Sequence, residues 1–432
     1  MGLQIRQDKD GIDGRVPEQL LGCVPGAATE EFSLGLPLFG RSIPHTDQVG
    51  VTASPYPFRM QVGDITRAEE CDAERWIGRH DEKPFSLRAA HAAASGRMIC
   101  VRSDKVTKTK QARLQTTRPA MRLCDPHFHL WNVHERPNPN LGGAVEEQQP
   151  VYLPADYLGD MARLPEPLQL ASSVHVETVV GQAPGGAVID TVGETRFVCE
   201  QMEPTGHPMG IVAYVHLARS AEETGKVLDD HAAAAGGRLR GVRMILNHHP
   251  DNPDLTWPQV EHGDFLRDPV FAESLQLMGE RGLSFDLQCN PHQLMDAAAT
   301  FGAHPTTPVI IDHLASFHDG EDDAYADMWR EGLRAVAELP HVHLKLSMLF
   351  FGAGAYPSDA TREAKARDLV LEAIEIFGAD RCMFASNYPV DRIQGFDVPT
   401  LYGQFLDWTK NLSEVDRAAL FHDSAARVYR MV

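Results

Sequence analysis

The sequence predicts an α/β fold, a (β/α)8 barrel of the TIM type, over residues 121–432. Strand-like runs alternate there with amphipathic, helix-like stretches. Eight strand–helix units in succession favour a closed parallel barrel over an open sheet. The span also falls within the range of about 200 to over 400 residues that this fold occupies. The predicted strands begin near Leu123, Leu170, Gly210, Leu239, Ser284, Val309, Val342 and Cys382.

Helical spacing of apolar residues between these runs predicts helices over residues 220–235, 269–280, 324–337 and 360–376. Residues 1–120 lack such periodicity, because Gly and Pro interrupt their short apolar segments. We therefore predict that residues 1–120 are an N-terminal extension that contributes no strand to the barrel. The extension is either poorly structured or lies upstream of a natural start at Met121.

The composition is typical of a soluble globular protein, with 43% hydrophobic and 23% charged residues. A formal net charge of -20 argues against nucleic-acid and anionic-membrane partners, which both require clustered positive charge. The seven cysteines are odd in number and form no CxxC pair, which favours a reducing compartment. Neither a signal peptide nor a membrane span is evident in the sequence. We therefore predict a cytoplasmic protein that acts on a small molecule.

The most informative motif is a pair of histidines, His127 and His129, near the end of the first predicted strand. Alternate residues of a strand share a face, so both rings can bind a metal or polarise a carbonyl. The spacing alone is weak evidence, because 20 His in 432 residues give about one such pair by chance. His341 and His343 have the same spacing, but they begin the seventh strand. Since active sites of these barrels lie where strands end, only the first pair is expected in a site.

Other polar residues follow the same rule. His313 ends the sixth strand, with a satisfied core histidine as the alternative interpretation. Arg243 on the fourth strand can clamp a carboxylate with two parallel hydrogen bonds, or form an ion pair with an outer helix. Lys345 on the seventh strand can supply a second anion contact or extend to solvent.

Four further residues follow predicted strands. Glu177, after the second strand, is a candidate metal ligand, general base or helix cap. His292 follows the fifth strand and is expected near the rim. Asn387 ends the eighth strand, and its amide can orient a water or substrate but cannot act as a general base. Asp391 can take the place of a base if its loop folds back.

Together these motifs resemble the amidohydrolase-related proteins of the second amidohydrolase group. They are most similar to the branch of sugar-lactone and 2-pyrone-4,6-dicarboxylate lactonases. The resemblance runs from about Leu123 to the C-terminus and leaves the first 120 residues unmatched. Its most specific segments are residues 125–131, 241–243, 285–287, 312–314, 345–347 and 384–389.

The resemblance implies a distorted barrel of the metal-dependent-hydrolase type that hydrolyses a small ester or lactone. His127, His129 and His313 would line the reaction centre, and Arg243 would bind a substrate carboxylate. Two positions depart from the family pattern. Members commonly have a water-activating Asp at the position of Asn387. Metal-dependent members of the wider superfamily have a His at the end of the fifth strand, where this chain has Gln288 followed by Cys289. Some lactonases of this branch work without a metal.

We therefore predict a hydrolase that opens a small, carboxylated lactone or ester by water attack. His127 and His129 would hold one divalent metal, zinc or manganese, only weakly, or the reaction would need no metal. Two alternatives stay open: a zinc-dependent decarboxylase of an aromatic acid, and a barrel that only binds a ligand. The predicted catalytic residues are His127, His129, His313, Asn387 and Asp391, and the predicted substrate contacts are Arg243, Lys345, His292 and Glu177.

Overall fold

A computed structural model describes residues 120–137, 147–178, 190–318, 323–354 and 359–431. Eight parallel strands form one sheet, in which each strand pairs with the next one along the chain. The predicted barrel strands are therefore confirmed, and each begins within two residues of its predicted start. The strands are β1 (Met121–Phe128), β2 (Leu168–Val176), β3 (Met209–Tyr214), β4 (Leu239–Ile245), β5 (Ser284–Gln288), β6 (Val309–Ile311), β7 (Val342–Leu346) and β8 (Cys382–Phe384).

Helices connect the strands and cover the outside of the sheet, and all four predicted helices are present. The Ser220 hydroxyl accepts a hydrogen bond from the Glu223 backbone and so caps the helix that follows. The main helices are α1 (Pro154–Met161), α2 (Thr191–Met202), α3 (Ala221–Ala235), α4 (Pro269–Glu280), α5 (Leu294–Gly302), α6 (Asp323–Ala337), α7 (Ala360–Phe377) and α8 (Val398–Trp408). Shorter helices span Phe350–Ala353, Val390–Ile393, Glu414–Ala418 and Ser424–Val428.

The first and last strands meet at their carboxyl ends. A parallel bridge joins Phe128 to Tyr388. The His129 backbone N–H donates to the Tyr388 carbonyl at 2.7 Å, and the Asn387 backbone N–H donates to the His127 carbonyl at 2.8 Å. The two segments that bring the barrel near closure therefore also contain His127, His129 and the side-chain amide of Asn387.

The amino-terminal end of the barrel is filled by the C-terminal segment. Ala425 and Val428 pack in one buried cluster with inward-facing side chains such as Val174 and Ile310. Tyr429 extends further, and its hydroxyl reaches a carboxylate inside the barrel. Across the described ranges, the helices are all too short or too polar to cross a membrane. Apart from Ala120, the predicted N-terminal extension lies outside the described residues, so that assignment stays a prediction.

Candidate active site

Three imidazole rings gather at the carboxyl ends of β1 and β6. The ring centroids of His127 and His129 are 4.9 Å apart, and those of His127 and His313 are 4.6 Å apart. All three side chains are buried. His341 and His343 lie instead at the amino end of β7, far along the strand from this cluster. Strand polarity therefore separates the two His-X-His motifs as expected.

Hydrogen bonds set which ring nitrogens of two of these histidines are free. Nδ1 of His129 donates to the Val176 carbonyl at 2.8 Å, which leaves Nε2 as a lone pair. Nδ1 of His313 lies 2.9 Å from the Ser347 hydroxyl. Burial, assisted by Arg243, lowers the pKa of His129 well below its ordinary value, and burial lowers the pKa of His313 to about 3. Both rings are therefore neutral at physiological pH.

His313 begins a left-handed turn that runs through Ser316. The four φ angles are 56°, 54°, 54° and 49°, although each residue carries a Cβ atom. Such backbone costs about 1–2 kcal/mol per residue, so neighbouring groups must hold it. The Ala315 backbone N–H donates to the Asp312 carbonyl at 3.0 Å, and Trp329 Nε1 donates to the Leu314 carbonyl at 2.9 Å. Strained turns of this kind are typical of functional sites.

An ion cluster lies directly beside the histidines. Lys345 Nζ is 3.0 Å from Asp312 Oδ1 and 2.5 Å from Asp286 Oδ2, and Asp312 Oδ1 is 3.7 Å from His127 Nδ1. Tyr429 donates its hydroxyl to Asp286 Oδ2 at 2.6 Å. Lys345 does not extend to solvent, because its ammonium is buried between two carboxylates. Its role as a substrate contact stays a prediction.

The two carboxylates of this cluster have opposite pKa shifts. Burial alone would raise the pKa of Asp312, but the Lys345 ammonium and His127 bring it well below its ordinary value. Burial raises the pKa of Asp286 to about 6, against the lowering effect of the same ammonium. Asp312 is therefore the carboxylate that stays ionised beside the histidines.

Arg243 is also committed to internal partners. Its Nε donates to Glu177 Oε1 at 2.6 Å, and its Nη2 donates to the Glu177 carbonyl at 2.6 Å. Nη1 donates to Gln288 Oε1 at 3.3 Å and lies 3.4 Å from His127 Nε2. Glu177 occupies the Nε and Nη2 edge of the guanidinium, so a clamp on a substrate carboxylate would have to use the other edge. The predicted clamp stays a prediction. Glu177 itself is an ion-pair partner here.

The loop after β8 brings Asp391 against Asn387, and the role of Asp391 as a base stays a prediction. Asn387 Nδ2 donates to Asp391 Oδ1 at 2.7 Å, and Asn387 has a left-handed φ of 52°. Burial raises the pKa of Asp391 to about 8, although the Asn387 hydrogen bond lowers it. Among the described residues, Asp391 forms no ion pair, so it stands apart from the charged cluster around Lys345.

Asp391→Asn should flatten the dependence of stability on pH. Folded Asp391 keeps its proton up to about pH 8, whereas an unfolded Asp ionises near about pH 3.9. Between these values the folded state holds the extra proton, so this group makes the free energy of unfolding fall as pH rises. Asparagine removes that contribution and keeps an acceptor for Asn387. Urea unfolding of wild type and Asp391→Asn from pH 4 to pH 9 measures this contribution. If the free energy of unfolding depends on pH in the same way in both proteins, the raised pKa of Asp391 is contradicted.

Further histidines lie on the loops that follow β4, β5 and β6. The ring centroids of His249 and His292 are 5.0 Å apart, and His318 stacks on Phe351 at 4.6 Å. Burial, assisted by His249, lowers the pKa of His292 and the pKa of His318 to about 4. His292 lies on the loop after β5, which is the position predicted for it. Neutral imidazoles there offer both hydrogen-bond donors and acceptors.

A candidate metal-binding group combines His127, Asp312 and His313, whose ligand atoms lie within 4.8 Å of one another. This trio shares His127 with the predicted pair of His127 and His129, which stays a prediction. The donor types suit a divalent ion such as zinc. However, Lys345 Nζ lies 3.0 Å from Asp312 Oδ1 and 3.3 Å from His127 Nδ1, so a protein cation already contacts two of the three ligands. The group fits a divalent ion, but this repulsion weakens the binding.

Two residues at this site were missed as candidates. Asp312 stands directly before His313, and its position at the end of a buried strand is the signal that could have identified it. Gln288 ends β5. In the sequence it stands out only because metal-dependent members of the superfamily have a histidine at that strand end. The Gln288 side chain is 1% exposed and contacts Arg243, which the sequence alone does not indicate.

Comparison with known proteins places these features in context. The amidohydrolase family model matches residues 124–431. An uncharacterized protein of Sinorhizobium fredii is 31% identical over 320 residues, which cover 72% of this chain and 98% of that protein. An L-fucono-1,5-lactonase of Burkholderia ambifaria is 27% identical and covers 71% of this chain and 95% of its own length. A solved amidohydrolase of Burkholderia multivorans with bound zinc is 24% identical, with a TM-score of 0.58 over 72% of this chain and 99% of that one, and shares the fold.

Proposed function

Given that this chain belongs to the amidohydrolase family and is a hydrolase, we propose that it opens a small, hydroxyl-rich lactone by water attack. The observation that carries the proposal is the position of Asp312. This carboxylate is fully buried beside His127 and His313. Its Oδ1 lies 3.0 Å from Lys345 Nζ, whereas its Oδ2 accepts no hydrogen bond from the described protein. A buried ionised carboxylate in that state is suited to accept a proton from water.

The proposed reaction is hydrolysis of the bond between the acyl carbon and the ring oxygen of the lactone. Asp312 takes a proton from water as the water oxygen bonds to the acyl carbon. The bond between that carbon and the ring oxygen then breaks, and the ring oxygen takes the proton from Asp312. In this proposal the free Nε2 of His129 faces the reacting group as a hydrogen-bond acceptor. A divalent ion bound at His127, Asp312 and His313 would polarise the carbonyl.

The substrate class follows from charge. Both buried cations already face carboxylates, Lys345 with Asp286 and Asp312, and Arg243 with Glu177. The rim histidines are neutral. A neutral ring of hydroxyl groups suits such donors and acceptors better than a second carboxylate does. The curated lactonase relatives, at 27% and 29% identity, support the same class. We thus replace the carboxylated substrate by an uncharged sugar lactone.

An activity comparison tests this proposal. Neutral aldono-1,5-lactones should have a kcat/KM at least about tenfold above that of lactones carrying a carboxylate, because the buried cations among the described residues, Lys345 and Arg243, already pair with carboxylates. Acid release is measured against the spontaneous rate, with and without chelator. Faster turnover of the carboxylated lactones would contradict the substrate class. Release of CO2 from hydroxybenzoates would favour a decarboxylase, and binding without turnover would favour a ligand-binding barrel.

A further inference from the structure

We propose that Gln288 binds the attacking water together with Asp312, which makes it a catalytic residue on β5. This inference rests on the proposed hydrolytic function and adds to it the group that orients the nucleophile. It comes from two neighbouring side chains whose hydrogen-bonding atoms are buried and complementary.

The orientation of the Gln288 amide is determined by its neighbour. Its Oε1 accepts from Arg243 Nη1 at 3.3 Å, so Nε2 must point away from the guanidinium, which has only donors. Nε2 is buried and has no hydrogen-bond partner within the described protein. A buried donor in this state costs about 1–3 kcal/mol, which favours a role for it.

Asp312 stands beside this amide on the next strand. Leu287 pairs with Ile311 in the parallel ladder, and Gln288 and Asp312 are the following residues of β5 and its neighbour. Both side chains approach the same guanidinium nitrogen, which is 3.3 Å from Gln288 Oε1 and 3.8 Å from Asp312 Oδ2. The amide donor is therefore adjacent to Asp312 Oδ2, which accepts no hydrogen bond from the described protein.

The chemistry of Gln288 Nε2 and the Asp312 carboxylate determines which molecule can bind between them. An atom that accepts from Gln288 Nε2 and donates to Asp312 must carry both a lone pair and a hydrogen. A carbonyl oxygen cannot donate, and a metal cation cannot accept. A water molecule meets both requirements. Held here, one proton of the water faces the carboxylate that would remove it. The amide binds one lone pair, and the second lone pair stays free for the attack.

Product partition tests the proposal. In water containing methanol, the lactone is converted to the free acid or to the methyl ester. Gln288→Met should lower kcat on the order of ten- to a hundredfold, because the nucleophile loses the amide donor. It should also raise the ester-to-acid ratio, because an apolar side chain beside the nucleophile disfavours water more than methanol. Gln404→Met is the matched control, since Gln404 is a buried glutamine on the outer helix α8. It should change neither quantity.

Gln288→Glu tests the amide donor of Gln288 separately from the acceptor oxygen that contacts Arg243. Glutamate keeps an acceptor for Arg243 but loses the amide donor, so it should show a low kcat like the Met variant. Wild-type kcat in Gln288→Glu, or a lower kcat in Gln288→Met with an unchanged product ratio, would overturn the proposal. A high-resolution crystal structure tests it without turnover: water density should lie within hydrogen-bond distance of Gln288 Nε2 and Asp312. Empty density there overturns the inference, whereas the proposed function fails only if wild type hydrolyses no lactone.

Discussion

Asp312→Asn should lower kcat for lactone hydrolysis by about 10²–10⁴-fold, the range typical of a lost general base. Asparagine has nearly the same shape and keeps one acceptor oxygen, but it cannot take a proton from water. The pKa of Asp312 lies well below its ordinary value because Lys345 and His127 oppose the effect of burial, so the wild-type group is ionised at neutral pH. KM should change little, because asparagine keeps the size of Asp312 and one acceptor oxygen. Steady-state kinetics on a neutral lactone measures both parameters.

Asp286→Asn is the matched control, because Asp286 contacts the same Lys345 ammonium from the other side at 2.5 Å. Tyr429 also donates to it. Its loss should reduce the free energy of unfolding, while kcat stays within about tenfold of wild type. Equal losses of kcat in the two variants would show that the charge balance of Lys345 matters, and not proton transfer to Asp312.

Arg243→Met should lower the free energy of unfolding by about 3–5 kcal/mol, because it strands the buried Glu177 carboxylate without its partner. The two side chains are 2% and 1% exposed, so solvent cannot replace the lost contact. Methionine keeps the length of the aliphatic stem and avoids a large cavity. Equilibrium denaturation gives the loss directly.

Glu177→Gln combined with Arg243→Met completes the comparison. The double variant should recover part of the lost stability, since no buried charge remains unpaired. Activity of the single variant on neutral and carboxylated lactones should fall by the same factor. A selective loss on the carboxylated lactone would instead restore the substrate clamp that the sequence suggested.

The fold was predictable because its determinants are local. Each barrel strand is a short apolar run, and each predicted helix carries apolar residues at helical spacing, as in α4, whose bounds were predicted without error. Helix capping by Ser220 and by Asp268 reinforces these limits. Nothing in the periodicity indicates how β1 and β8 meet, because that contact depends on the loop around Tyr388.

The site was only partly predictable, because its buried side chains pair with residues that are far away in the sequence. Strand polarity brought His127 and His313 to one end of the barrel. The partner of Arg243 is 66 positions away along the chain, and no local pattern distinguishes an internal ion pair from a substrate clamp. For the same reason, the sequence did not indicate that the Lys345 ammonium is buried. Gln288 was treated as an absent ligand, since an uncharged amide gains a role only when its neighbours orient it.

The left-handed turn His313–Ser316 has a consequence for protein engineering. Glycine would adopt this backbone without the steric cost that the present side chains bear, so local conformational preference favours glycine at Ala315. Leu314 is different, because its side chain belongs to the buried core. A stabilised variant chosen by such preferences would relieve the turn and gain free energy of unfolding. The same change would release the ring of His313 from a fixed direction. Thermal stability and turnover are therefore expected to trade against each other at this turn.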